Sequence, residues 1–188
     1  MSRHRLVLAG SGGQGIITAA IILAEAAVLM EGQNAIQSQS YGAAARGGIS
    51  RSDVILSDQE IHFPKVTQPN TLICLTQQSY DSFFNIIRPG GILITDDSLV
   101  HIDKKAEART FHLPLLSSVK EKLGMPVVLN ICMLGALQAL TELVRMDSLE
   151  GIVERRMPSK HLQVNKQALQ LGSELGGQAL FSTGAGQG

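Results

Sequence analysis

The run Arg5-Leu-Val-Leu-Ala-Gly-Ser-Gly-Gly-Gln-Gly-Ile-Ile-Thr-Ala-Ala20 decides the fold. Arg5–Ala9 is short, apolar and ends in glycines, which reads as a buried strand. Ile16–Met30 reads as the helix that follows, with Gly32 as its stop. Gly10, Gly12 and Gly15 form the pattern Gly-x-Gly-x-x-Gly at the junction. In that position the pattern has a mechanism. Glycines let the backbone turn tightly and approach a ligand, and the helix start offers unpaired N–H groups and a positive dipole end. The reading is a phosphate or pyrophosphate cradle formed by Ser11, Gly12, Gly13, Gln14 and Gly15, with Gln14 adding side-chain hydrogen bonds. The plain alternative is a glycine turn that holds nothing. A dinucleotide site would also want an Asp or Glu at the end of the second strand. That strand ends Ile36-Gln-Ser-Gln-Ser-Tyr41 without one, and Glu31 comes before it, so NAD is disfavoured.

Further strands are expected at Asn34–Ser40, Thr71–Thr76, Ile92–Thr95 and, more weakly, Glu107–His112. Ser50–Leu56 and Glu60–Phe63 read as a hairpin closed by Ser57-Asp-Gln. Tyr80–Ile87 and Leu115–Leu123 read as helices. Met125-Pro126 opens what reads as the longest helix, ending near Val144, and Ser148–Met157 and Ser159–Leu175 follow. Apolar strands alternating with helices predict an α/β three-layer sandwich: a mostly parallel sheet, covered on both faces, with a β-hairpin and C-terminal helices. The first helix is apolar on almost every side, Glu25 excepted, so one side packs on the sheet and the other needs a second layer or another subunit. Residues 1–175 are expected to form a single domain and 176–188, rich in glycine, a flexible tail.

A chain of 188 residues fits one domain and buries enough surface to need no disulfide or metal staple. Lys+Arg and Asp+Glu each number 16, so bulk attraction to nucleic acid or an anionic membrane is not supported. The N-terminus lacks a signal-peptide core and no apolar stretch reaches the roughly 20 residues of a membrane span, so the cytoplasm is the expected compartment. A mean hydropathy of +0.14 is high for a soluble monomer and suggests an apolar face turned to a partner. Cys74 and Cys132 sit in apolar runs and read as reduced core residues. Two cysteines without a Cys-x-x-Cys cannot supply four thiolates to an iron–sulfur cluster. The five histidines lack metal-ligand spacing, so no metal is expected.

Tyr41-Gly-Ala-Ala-Ala-Arg-Gly-Gly48 is the second motif. Its small residues permit close backbone approach, and Arg46 offers a planar fork of donors for phosphate or carboxylate. The competing readings are a solvated loop and an RNA-binding Arg-Gly-Gly segment; one copy in a neutral chain speaks against the second. In a doubly wound sheet this loop lies beside the first glycine loop, at the carboxyl edge. Tyr41, Arg46 and Gly47 therefore join the candidate site.

Taken together, Gly-x-Gly-Gly-Gln-Gly, Ser-Tyr-Gly-x-x-x-Arg-Gly-Gly, Asn130 with Leu134-Gly135, and Asn165 resemble the gamma subunit of 2-oxoacid:ferredoxin oxidoreductases, over roughly Leu6–Gly172. The run Gln39–Val54 is most similar to the 2-oxoglutarate branch, with one departure at Ala45, where that branch usually carries a glutamate. The resemblance implies a Rossmann-like domain without catalytic residues of its own, inactive alone. It also implies partners: thiamine-binding alpha and beta subunits, a ferredoxin-like delta subunit, and ferredoxin as acceptor. Thiamine diphosphate and the 4Fe-4S clusters would sit on those subunits. Coenzyme A would be the substrate held here, its pyrophosphate and 3′-phosphate suited to Gly12–Gly15 and Arg46. A homo-oligomer of the isolated chain is a further expectation. The rival readings are a stand-alone NAD(P)-dependent reductase and a purely structural subunit.

Asp96-Asp97 follow a strand at the carboxyl edge and read as caps for the next segment rather than as cation ligands. Asn130 begins an apolar helix, where an unpaired amide would be costly, so it is expected to bond to a loop or partner, and Asn165 likewise. Arg155, Arg156 and Lys160 read as a solvated helix face. Ser98 and His101 lack the context of a catalytic triad.

Overall fold

The computed structural model describes residues 3–41, 48–103 and 106–184. β1 (His4–Ser11), β2 (Asn34–Tyr41), β3 (Ile49–Ser57), β4 (Thr71–Cys74), β5 (Gly91–Asp96) and β6 (Ala108–Leu113) form one sheet in the order β2-β3-β1-β4-β5-β6. β1, β4, β5 and β6 run parallel, whereas β3 is antiparallel to both β1 and β2. Two reversals cancel, so β2 points the same way as β1.

Alternation along the strands builds two cores. Leu6, Leu8, Val54, Leu56, Ile73 and Ile94 face the larger helical layer. That layer holds α1 (Ile16–Glu25), α3 (Leu115–Leu123), α4 (Leu129–Thr141), α5 (Met146–Arg156) and α6 (Ser159–Gly184). Val7, Ala9, Ile55, Leu72, Cys74 and Leu93 face the thinner layer, where Tyr80 of α2 (Gln77–Phe83) is fully buried. The α/β sandwich with a mostly parallel sheet is therefore as expected, with the helices distributed unevenly.

The hairpin is a different one. Its arms are β2 and β3, in register from Asn34↔Ser57 to Tyr41↔Ser50, and Glu60–Phe63 is not a strand. The segment after β3 carries Pro64 and Pro69, which cannot donate to a ladder. Side chains hold it instead. The Arg51 guanidinium donates to Asp53 (2.6 and 3.1 Å) and to the Val66 carbonyl (2.8 Å), and the Val66 N–H donates back to Asp53 (3.2 Å).

The first helix runs as expected, but its end, Ala26–Met30, is a π-helical turn. Its sheet-facing side is buried at Ile16, Ala19, Ala20, Ile22 and Leu23, while Val28, Leu29 and Met30 are exposed near its end. Met125-Pro126 opens a short 3-10 turn rather than α4 itself. The longest helix is α6, which continues through Gly176 to Gly184, so the expected tail from 176 is helical to that point. Close packing explains this: α4 and α6 cross at glycines. A Cβ on Gly135 would overlap the Leu169 carbonyl oxygen, one on Gly172 would overlap the Cys132 carbonyl oxygen, and one on Gly176 would lie 2.8 Å from the Ala136 carbonyl oxygen. None of the helices, α6 included, is long and apolar enough to cross a membrane, among the described residues.

Candidate functional site

The glycine loop leaves β1 at the carboxyl edge of the sheet, where α/β folds place ligands. Gly12 and Gly13 are exposed and have open space where a Cβ would stand. Gly13 (φ 88°) and Gly15 (φ 71°) are left-handed, a conformation that glycine adopts without penalty. Gly15 is the N-cap of α1 and no side chain caps that helix. The first N–H groups of α1 thus face the loop, with the positive end of the helix dipole behind them.

Gln14 braces the loop from within. Its Oε1 accepts from the Ser11 N–H (2.8 Å) and its Nε2 donates to the Leu75 carbonyl (3.2 Å). Both ends of the amide hold the loop to the sheet. Gly10 is the matching requirement, since a Cβ there would lie 2.5 Å from Gln14 Oε1.

Asn130 anchors the other side. Its Nδ2 donates to the Gly15 carbonyl (3.2 Å), so the amide at the start of α4 is paired with the loop, as the cost of burying it requires. Asn165 donates to the His161 carbonyl one turn earlier in its own helix (2.7 Å). Both asparagines border a cavity of about 310 Å³ that opens beside Gly13, Gly15 and Thr18. One wall is Met125, Val127 and Val128; the other is Met157, Pro158 and His161, where α5 gives way to α6. Among the described residues, no acidic side chain lines it. These apolar walls carry no local sequence signal, because they come from three segments that only packing brings to the loop.

Tyr41 ends β2 on the same edge, paired with Ser50, which in turn pairs with Gly10. With two strand spacings between them, the ends of β1 and β2 are roughly 10 Å apart. The second motif therefore starts beside the first, as the doubly wound reading expects. Arg46 and Gly47 lie outside the described residues.

The remaining candidates have structural partners. Asp96 is fully buried and accepts from the Leu116 N–H (2.6 Å) at the start of α3 and from the N–H and hydroxyl of Ser98 (2.9 and 2.6 Å). It caps, as expected. Glu31 accepts from the Arg145 N–H (2.6 Å) at the start of α5, away from any ribose position. Arg156 is not merely solvated: it forms an ion pair with Glu25. Burial pushes the thiols of Cys74 and Cys132 up to about 12, with Asp96 adding to the second. Both cysteines are free and buried, and no three His, Cys, Asp or Glu residues gather into a metal-binding group among the described residues. This donor set does not fit an iron–sulfur cluster.

The arrangement matches known proteins along nearly its whole length. The family described as pyruvate ferredoxin/flavodoxin oxidoreductase matches residues 5–175. The 2-oxoglutarate synthase subunit KorC of Methanocaldococcus jannaschii is 42% identical over 175 residues, covering 92% of this chain and 94% of that protein. The crystal structure of a keto/oxoacid ferredoxin oxidoreductase gamma subunit from Geobacter sulfurreducens superposes with a TM-score of 0.88 at 37% identity, covering 95% of this chain and 99% of that one. The 2-oxoglutarate:ferredoxin oxidoreductase of Magnetococcus marinus, solved with 2-oxoglutarate, coenzyme A and succinyl-CoA, shares the fold at 19% identity and a TM-score of 0.84; the match covers 94% of this chain and 31% of that chain. On this evidence the chain belongs to the pyruvate ferredoxin/flavodoxin oxidoreductase family.

Proposed function

We propose that this chain is the gamma subunit of a thiamine-dependent 2-oxoacid:ferredoxin oxidoreductase, acting on 2-oxoglutarate, and that its own task is to hold coenzyme A. The complex would decarboxylate the 2-oxoacid, pass two electrons to ferredoxin and transfer the acyl group to the coenzyme A thiol. Thiamine diphosphate and the iron–sulfur clusters belong to alpha, beta and delta partner subunits in this reading, since the cysteines here are two and buried apart. The similarity to KorC over 92% of the chain supports the substrate.

The observation that carries the coenzyme A assignment is the open glycine loop. Gly12 and Gly13 present exposed backbone beside an uncapped helix start, which suits a pyrophosphate. The adjoining apolar cavity of about 310 Å³ offers room for the uncharged part of the carrier. Arg46, in the motif that begins at Tyr41, is the candidate for the 3′-phosphate. A stand-alone NAD(P) reductase is disfavoured because β2 ends without an acid and Glu31 is bound at the start of α5.

Calorimetry of coenzyme A binding to the reconstituted complex tests the assignment. Gly12→Asp places a carboxylate in the cradle without a steric clash, and Arg46→Ala removes the fork. Each is expected to weaken binding by about tenfold or more. Unchanged affinity in both would refute the assignment and leave a purely structural subunit.

A further inference from the structure

The amino edge of the sheet, opposite the glycine loop, gathers positive charge that the coenzyme A reading leaves unused. Arg3 and Arg5 are two residues apart at the start of β1, so their side chains leave the same face of the strand. Lys65 comes from the segment that Arg51 and Asp53 pin at Val66, and Arg88 from the turn before β5. Three separate stretches of chain thus deliver four cations to one cavity of about 580 Å³. Thr67 and Gln68 add neutral donors, and Phe63, 59% exposed, forms an apolar wall. Among the described residues, no acidic side chain lines the cavity. None of the four cations has an ion-pair partner among the described residues. Asp58 and Glu60 line the adjoining recess, which shares Arg3 and Phe63 with this one. His4, between the two arginines, is pushed down to about 4 by burial and by the positive charge of Arg88.

We propose that this pocket binds a small anion carrying two adjacent phosphate groups, free or as part of a nucleotide. Guanidinium forks match phosphate oxygens in pairs, and converging unpaired cations lack a counter-charge that such a ligand supplies. The volume is that of a small-molecule site, and the concave shape with an aromatic wall suits a compact ligand better than a flat acidic protein surface. The eight residues of β1 separate this pocket from the glycine loop by about 25 Å, so the two sites are independent.

The test is calorimetry of the full chain with inorganic pyrophosphate and, separately, with ADP, on a Gly12→Asp background that closes the glycine cradle to anions. At least one probe is expected to bind one-to-one, more weakly as salt is raised. Replacing Arg5 and Arg88 together by Gln is expected to weaken that binding by about tenfold or more. Lys65→Gln, at an exposed side chain, should weaken it in the same direction and guards against a double variant that fails to fold. No binding of either probe at millimolar concentration, or binding unchanged in these variants, overturns the proposal. Binding of a poly-glutamate peptide with neither phosphate probe also overturns it. Coenzyme A affinity of the Gly12→Asp complex is read apart from these titrations, so failure here and failure of the coenzyme A reading are distinguishable.

Discussion

Gly15→Ala and Gly12→Ala differ by one methyl each, three positions apart in the same loop, and the structure gives them opposite outcomes. At Gly15 the backbone is left-handed, and the new Cβ would meet the Asn130 side chain, with its Cγ at 2.8 Å. The left-handed conformation costs an alanine about 1–2 kcal/mol. Displacing Asn130 breaks its hydrogen bond to the Gly15 carbonyl, a further loss of about 0.5–1.5 kcal/mol. The sum, about 1.5–3.5 kcal/mol, corresponds to a fall of roughly 1 M in the urea midpoint. At Gly12 the Cβ meets open space and φ lies outside the left-handed region, so the change should stay within about 0.5 kcal/mol. Equilibrium urea unfolding of the full chain, followed by far-UV circular dichroism, measures both. Equal destabilisation of the two variants, or a Gly15→Ala effect below about 0.5 kcal/mol, would refute the division of the loop into a load-carrying end and an open end.

Three further predictions follow from other parts of the fold. His4 has a folded pKa of about 4 against 6.5 when unfolded, so its unfolded form binds the extra proton between those values. Stability is therefore fully present above pH 6.5 and declines towards pH 4, by up to roughly 2 kcal/mol after allowing for partial exposure. Wild type should lose more urea stability than His4→Gln between pH 7 and 4.5, and equal losses would remove His4 as the cause. Gly135→Ala should lower stability by at least about 2 kcal/mol, because its Cβ overlaps the Leu169 carbonyl and forces α4 from α6. Differential scanning calorimetry should show a fall in Tm of roughly 5 °C or more. Cys74 and Cys132, with thiols pushed up to about 12, should resist iodoacetamide at pH 7.5 in the folded chain and react once it is denatured, as intact-mass spectrometry would show.

What the sequence made legible was local. Arg5–Ala9, the glycine cluster and the following apolar helix announce themselves because each signal is complete within a few residues, and Leu115–Leu123 has the same bounds as α3. The hairpin is not legible because β3 has two neighbours, and nothing in Ser50–Leu56 says which flanking segment pairs with it. The polar turn Ser57-Asp-Gln suggested Glu60–Phe63, whereas the observed partner is the polar edge strand Asn34–Tyr41. The extension of α6 beyond Leu175 is hidden by glycines at 176 and 177, residues that usually break helices. Tertiary packing overrides that propensity where Gly172 and Gly176 meet the backbone of α4. At the site, the loop glycines are legible, whereas the walls from Met125 to His161 and the bracing bonds of Gln14 to Ser11 and Leu75 are not, because they form only when separate segments pack together.

The α4–α6 crossing also fixes how the C-terminal helix can be seated. Sliding α6 by one residue turns its surface by about 100° and moves Leu171 or Ser173 to the place of Gly172. Either side chain would collide with the Cys132 carbonyl, since even a methyl does. The helix can dock at one setting only. Because Met157, Pro158 and His161 stand at its beginning, that single setting indexes one wall of the cavity to the glycine loop from a contact several turns away.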